Sequence, residues 1–148
     1  EAGQLVRVLW RKKPVWIFMR DEKALDALNS DGLIKSLDDP DGTGNSKNQQ
    51  PAYVTSNFRS IKNKESVAVI VGVCTHLGCS PTYRPEPGAA DLGGDSWKGG
   101  FYCPCHGSKF DLAGRVYAGV PAPTNLVIPP YRYVPDSLIR IGVDPEIT

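Results

Sequence analysis

Long apolar runs are missing from this chain. A membrane-crossing helix needs roughly 18 consecutive apolar residues, and the longest run here, Val67–Val73, is seven. Net charge is nearly missing too, since 17 Lys and Arg against 16 Asp and Glu leave +1. A bulk attraction to nucleic acid or anionic lipid is therefore not expected. There is no internal repeat, no low-complexity segment and no signal-peptide pattern, and the first residue is Glu1 rather than Met. A processed or cut chain is expected, with room for an anchoring N-terminal helix outside it. Cysteine and histidine are scarce, at four and two. Glycine and proline are not: 15 and 13 of them in 148 residues predict many turns and few long helices. The length and the 41% hydrophobic content suit one domain over residues 1–148 with a core of its own.

The chain opens on Leu5–Trp10, which alternates and is rich in β-formers. A turn at Arg11-Lys-Lys-Pro14 and a second strand at Val15–Met19 complete a predicted hairpin, with Trp10 and Trp16 facing the core. Arg11, Lys12 and Lys13 read as a solvated turn rather than a docking patch. Asp21 can cap one short helix through Asn29 that carries Leu25 and Leu28 on one face and ends at Asp31-Gly32. The polar run Asp38–Gln50 reads as a surface loop. Val67–Val73 is a continuous apolar run, the pattern of a strand covered on both faces, and it leads straight into Cys74. Ser80–Gly100 is a Pro/Gly-rich connection in which Trp97 has no evident place. Phe110–Arg115 reads as strand end, turn and strand. Gly119-Val-Pro-Ala-Pro123 is a stiff loop, because proline fixes φ and removes an amide donor. Closing strands are predicted at Leu126–Ile128, Tyr131–Val134 and Leu138–Val143, the last two joined by Pro135-Asp-Ser137. The reading is mostly antiparallel β with a loop-built site.

All four cysteines and both histidines fall into two six-residue windows, Cys74-Thr-His-Leu-Gly-Cys79 and Cys103-Pro-Cys-His-Gly-Ser108. Four chemistries compete for them. Two plain disulfides leave the histidines unexplained. A structural zinc site usually has two to four residues between paired ligands; Cys74 and Cys79 have four, Cys103 and Cys105 only one. A thiol nucleophile with a histidine base needs one cysteine, not four. A [2Fe–2S] cluster held by two Cys and two His takes one thiolate and one imidazole from each window, and leaves two cysteines over.

The two windows resemble the paired motifs of Rieske proteins from quinol–cytochrome c oxidoreductases of the cytochrome bc type. The resemblance extends through Gly119-Val-Pro-Ala-Pro-Thr-Asn125 and covers most of the chain from about Val67 onward; the long connection between the windows is similar to the proteobacterial branch. It implies an antiparallel Rieske-type β-sandwich in which a small cluster-binding subdomain, about 73–122, is inserted. It implies one [2Fe–2S] cluster, with Cys74 and Cys103 on one iron and His76 and His106 on the other, and a disulfide between Cys79 and Cys105. A disulfide places the protein in an oxidising compartment, the periplasmic face of a bacterial inner membrane. The implied partners are quinol, cytochrome b and a c-type cytochrome. A soluble Rieske ferredoxin or oxygenase domain serving a non-haem iron enzyme is the competing class, and its members normally lack the two extra cysteines.

The implied chemistry follows from charge. Two ferric ions, two sulfides and two thiolates sum to about zero, whereas four thiolates would give about −2, so the histidine-bearing centre is the stronger oxidant. Its histidines also couple protons, and the resemblance gives His106 the contact with quinol and His76 the companion role. Ser108 is the implied hydrogen-bond donor to a cluster sulfur, which stabilises the reduced state. Phe110 departs from the tyrosine of many relatives, so a lower potential is expected. Leu77 is the expected tip residue, Gly78 and Gly107 the turn formers, and Pro121 with Pro123 the cluster-covering loop.

Overall fold

The computed structural model describes residues 4–44, 46, 49–55, 58–134 and 138–142, and every strand pair among them is antiparallel. The opening hairpin is β1 (Leu5–Trp10) and β2 (Lys13–Met19). Its turn is tighter than expected: only Arg11 and Lys12 lie outside the strands, both with positive φ (53° and 65°). A two-residue loop of that hand matches the strand twist, so Lys13 and Pro14 join β2. Trp16 is buried, as expected of a core residue, while Trp10 is only half-buried.

Helix α1 (Glu22–Leu28) is capped by the Asp21 carboxylate, which accepts from the Ala24 amide at 2.8 Å. Asp31-Gly32 does not end the helical stretch. It opens a second short helix, α2 (Asp31–Lys35), because Leu33 finds a buried place in the same core as Leu28 and tertiary burial outweighs the glycine's weak propensity. The described residues of the Asp38–Gln50 segment are irregular but not wholly at the surface. The Asp39 carboxylate is buried and accepts from the amides of Thr43, Gly44 and Ser46, which satisfies an otherwise costly charge.

A short pair, β3 (Val54–Thr55) and β4 (Ser60–Ile61), precedes β5 (Val67–Val71), which completes a sheet of order β1-β2-β5. Ala68 through Val71 are buried, as a strand covered on both faces requires. The strand stops at Gly72, whose amide donates to the Pro14 carbonyl, and a Cβ there would overlap the Trp16 indole. The second sheet has the order β6-β7-β8, from β6 (Thr82–Arg84), β7 (Gly100–Tyr102) and β8 (Lys109–Asp111). It meets the first through aromatics: Trp16 stacks on Phe101 at 4.6 Å and Phe18 meets Phe101 edge-on at 5.6 Å. Between β6 and β7, Trp97 is buried, donates from its indole to the Arg84 carbonyl and stacks on Tyr117. It closes the connection that its sequence neighbours left undefined.

Leu126–Ile128 is not a strand. The Leu126 and Ile128 amides donate to Gly114 and Gln49, and the Val127 carbonyl accepts from Val71, so its partners lie in three different segments and no ladder forms. The last pair is β9 (Tyr131–Tyr133) and β10 (Ile139–Ile141); the predicted turn at 135–137 and Val143 lie outside the described residues. The protein is thus mostly antiparallel β with few, short helices, and none of those described is long and apolar enough to cross a membrane.

Three buried arginines tie these pieces together. Arg20 donates to the carbonyls of Phe58, Glu65 and Leu112 and to the Ser60 hydroxyl. Arg59 reaches the carbonyls of Ala113 and Leu126 and the Gln50 side chain. Arg115 pairs with Asp111 at 2.7 Å, both fully buried, and donates to the Leu28 carbonyl. All three converge on the 111–115 turn that follows β8. Burial lowers the Arg20 and Arg59 guanidinium pKa values to about 10 and about 9, against the pull of Asp111.

Candidate metal centre

The two windows are twin loops. In the first, the Cys74 amide donates to the Cys79 carbonyl at 2.7 Å and the Gly78 amide to the Cys74 carbonyl at 3.0 Å. In the second, the Cys103 amide donates to the Ser108 carbonyl at 2.8 Å and the Gly107 amide to the Cys103 carbonyl at 2.9 Å. Gly78 and Gly107 hold φ of 84° and 83°, a left-handed conformation that glycine adopts without Cβ strain. The segment after β5 supplies the first loop, and the β7–β8 connection supplies the second.

The loops bring two thiols together. Cys74 and Cys103 are buried and are the free cysteines. Cys103, the His76 amide and the Ser108 side chain are the groups that act on the Cys74 thiol. Burial, first of all, pushes the Cys74 thiol up, and its neighbour Cys103 adds to this. Ser108 is itself fixed, because its oxygen accepts from the Ala122 amide at 2.9 Å. Thr75 donates to the Thr124 carbonyl at 2.7 Å. The Gly119–Asn125 segment is therefore pinned to both loops. Cys79 and Cys105 form a disulfide with a Cα–Cα distance of 6.6 Å. The sulfurs of Cys79, Cys103 and Cys105 lie within 4.8 Å of one another, but a disulfide offers no thiolate, so a four-cysteine zinc site is not available.

The imidazoles of His76 and His106 sit together, 4.8 Å between ring centroids and nearly perpendicular. His106 is exposed and His76 half-buried. The Nδ1 of His76 is buried with no hydrogen-bond partner among the described residues. An orphaned ring nitrogen is costly unless something else binds it. Two buried free thiols and two paired imidazoles carried by the same two loops offer two sulfur and two nitrogen donors, a set that fits a [2Fe–2S] group with mixed ligation.

The remaining predicted residues fall at varied depths. Leu77 is 69% exposed, and Gly78 and Pro121 are exposed. Gly107 is half-buried, with the Tyr102 hydroxyl the nearest group to where its Cβ would stand. Phe110 is fully buried in β8, paired in register with Phe101. Thr75 and Asn125 were not singled out by motif, though both lie inside the matched segments. Asn125 is buried and holds Val116, Asp39 and Ser46 through its amide groups. Their signal was a polar residue inside a motif with no ligand role.

An antiparallel β chain with thiol and imidazole donors converging from two closed loops defines a metal-binding domain of the iron–sulfur kind. The Rieske [2Fe-2S] domain pattern matches residues 41–132, and the chain belongs to that family. It is 56% identical over 144 residues to the ubiquinol-cytochrome c reductase iron-sulfur subunit of Allochromatium vinosum, covering 97% of this chain and 66% of that protein. It is 38% identical over 140 residues to the subunit of the same name from Bradyrhizobium diazoefficiens, covering 95% of this chain and 65% of that one. The chain thus spans about two thirds of the length of these relatives. A solved structure described as a hyperthermophilic respiratory Complex III shares the fold, with a TM-score of 0.52 at 24% identity, over 95% of this chain and 66% of that one.

Proposed function

We propose that this chain is the electron-carrying head of a quinol–cytochrome c oxidoreductase, taking one electron from a quinol and passing it to a c-type cytochrome. The observation that supports this most is the convergence of two buried thiols with a pair of imidazoles, one of them exposed. In this reading Cys74 and Cys103 hold one iron of a single [2Fe–2S] cluster, His76 and His106 hold the other, and residues 73–122 form the cluster-binding unit of the one domain. When bound, the cluster supplies one-electron acceptance, at about −150 to +300 mV rather than the about −400 mV of plant-type ferredoxins.

The protein's own residues do the rest. His106, at the exposed tip, accepts a hydrogen bond from the quinol hydroxyl and then its proton at the unligated ring nitrogen, with His76 as its more shielded companion. Leu77 presents an apolar surface to cytochrome b beside it. Ser108 stabilises added negative charge by donating to Cys74, and Ala122 holds the Ser108 oxygen in place. The Cys79–Cys105 bridge keeps the loops closed against solvent, and suits the periplasmic face of a membrane-bound complex.

Visible and EPR spectra of the purified, dithionite-reduced protein test the reading. A reduced [2Fe–2S] signal is expected, together with a positive potential that falls by up to about 59 mV per pH unit for each coupled proton. A colourless, EPR-silent protein would reduce it to a metal-stabilised binding module. A potential well below zero would favour a carrier to a non-haem iron enzyme. A pH-independent potential would remove the proton role of the histidines.

A further inference from the structure

The β1–β2 hairpin is out of keeping with the rest of the chain. Between Gln4 and Arg20 there are five Lys or Arg and no Asp or Glu, in a protein whose net charge is +1. Arg20 is buried; Arg7, Arg11, Lys12 and Lys13 are exposed, and none of the four is ion-paired among the described residues. Leu9 stands 79% exposed among them, the most exposed large apolar side chain described. Trp10 is half-buried beside it, with the Arg11 guanidinium 4.9 Å over its ring. Cations around a protruding leucine and an amphipathic aromatic are the chemistry of a membrane interface.

The turn is also costly for its residues. Arg11 and Lys12 both take positive φ, the two-residue geometry that selects Asn-Gly because side chains such as these are strained in it. Packing does not require them there, since both point to solvent. Strain held at an exposed, basic tip points to a surface role.

Its position matters as well. Gly72 bonds Pro14, so the hairpin tip lies at the end of the sheet where β5 hands the chain to Cys74. Leu9, Arg7 and Trp16 share a sheet face by register, and Trp16 carries Phe101 of the second sheet.

We propose that the tip formed by Arg7, Leu9, Arg11, Lys12 and Lys13 is a contact for anionic lipid headgroups, with Leu9 entering the interface. Lipid is favoured over an acidic protein face because the protruding leucine needs an apolar medium as well as anions. Under the function proposed above, this contact would bias the head toward the membrane-side quinol position. Lipid binding itself does not depend on that reading.

The test uses the cluster-loaded chain with vesicles of phosphatidylglycerol and phosphatidylcholine against phosphatidylcholine alone, by co-sedimentation. Salt-sensitive binding to the anionic vesicles only is expected. Arg11→Asn/Lys12→Gly should weaken it about fivefold per cation removed, while raising Tm by about 2–4 °C through relief of the turn. Leu9→Ser should weaken it about tenfold. Wild-type binding that ignores lipid charge, or a double variant that binds undiminished, overturns the proposal. So does a patch indifferent to Leu9→Ser and equally occupied by polyglutamate, which would assign it to an acidic protein partner. The EPR spectrum, read on the same samples, separates this failure from failure of the electron-carrier reading.

Discussion

The two cluster windows share a backbone and differ in what they hang on it. Both are closed by the same pair of backbone hydrogen bonds and turned by a left-handed glycine at the fifth position. Yet histidine is third in the first loop and fourth in the second, and the sixth residue is Cys79 in one and Ser108 in the other. The fourth position is exposed in both loops, holding Leu77 in the first and His106 in the second. The two imidazoles accordingly differ in depth, His76 half-buried and His106 exposed. The sixth position divides the remaining work, since Cys79 locks the loops covalently and Ser108, its oxygen held by the Ala122 amide, stands by the Cys74 thiol.

The harshest way to probe this symmetry is at the first position. Cys74→Ser and Cys103→Ser should each abolish the visible and EPR signals completely, since each loop offers one thiol; retention in either variant would show that the loops are not equal ligand donors.

Next is the covalent lock. By chain entropy alone a bridge across a separation of 26 residues is worth at most roughly 3.5 kcal/mol. Under the proposed ligation a cluster would tie the same loops, so Cys79→Ser should lower cluster retention on chelator challenge more than it lowers β content by circular dichroism. Equal loss of both would make the bridge a support of the whole fold.

The shared glycine tests whether the backbones are truly alike. A Cβ at Gly78 would meet nothing within 4 Å, and at Gly107 only the Tyr102 hydroxyl at 3.9 Å. Gly78→Ala and Gly107→Ala should therefore each cost only the conformational penalty, about 1–2 kcal/mol, and by denaturant titration the two should match. Unequal costs would break the equivalence.

The sixth position gives the smallest effects. With Ser108 donating to a cluster sulfur as proposed, Ser108→Ala removes one hydrogen bond, worth about 0.5–1.5 kcal/mol, and should lower the potential by roughly 20–65 mV at one electron. Phe110→Tyr should raise it by no more than that, because the new hydroxyl has to find the sulfur from a fully buried position. An unchanged potential in Ser108→Ala, measured by redox titration, would return Ser108 to a plain turn residue.

Much of the candidate site is legible in the sequence, because donor atoms and their spacing are written in consecutive residues. The hairpin and the β5 run were legible for a similar reason: alternation and continuous apolarity are local patterns. Other features depended on partners far along the chain. Nothing near Asp31-Gly32 announces that Leu33 will be buried, or near Leu126–Ile128 that its backbone will serve three segments. Arg20, Arg59 and Arg115 look like surface cations until their carbonyl partners are known, and those lie up to 92 residues away. Trp97 gained a role only from Arg84 and Tyr117.

By itself, then, the sequence determined the chemistry of the centre: which donors exist, that they come as two loops, and where each loop must turn. Family likeness added the expected ligand and disulfide pairs. Only the tertiary structure decided which thiols stay free, which imidazole reaches solvent, and that the Gly119–Asn125 segment braces both loops through Thr75 and Ser108. The reason is physical: donor identity is a property of residues, but burial and partnership arise only when distant segments are packed against one another.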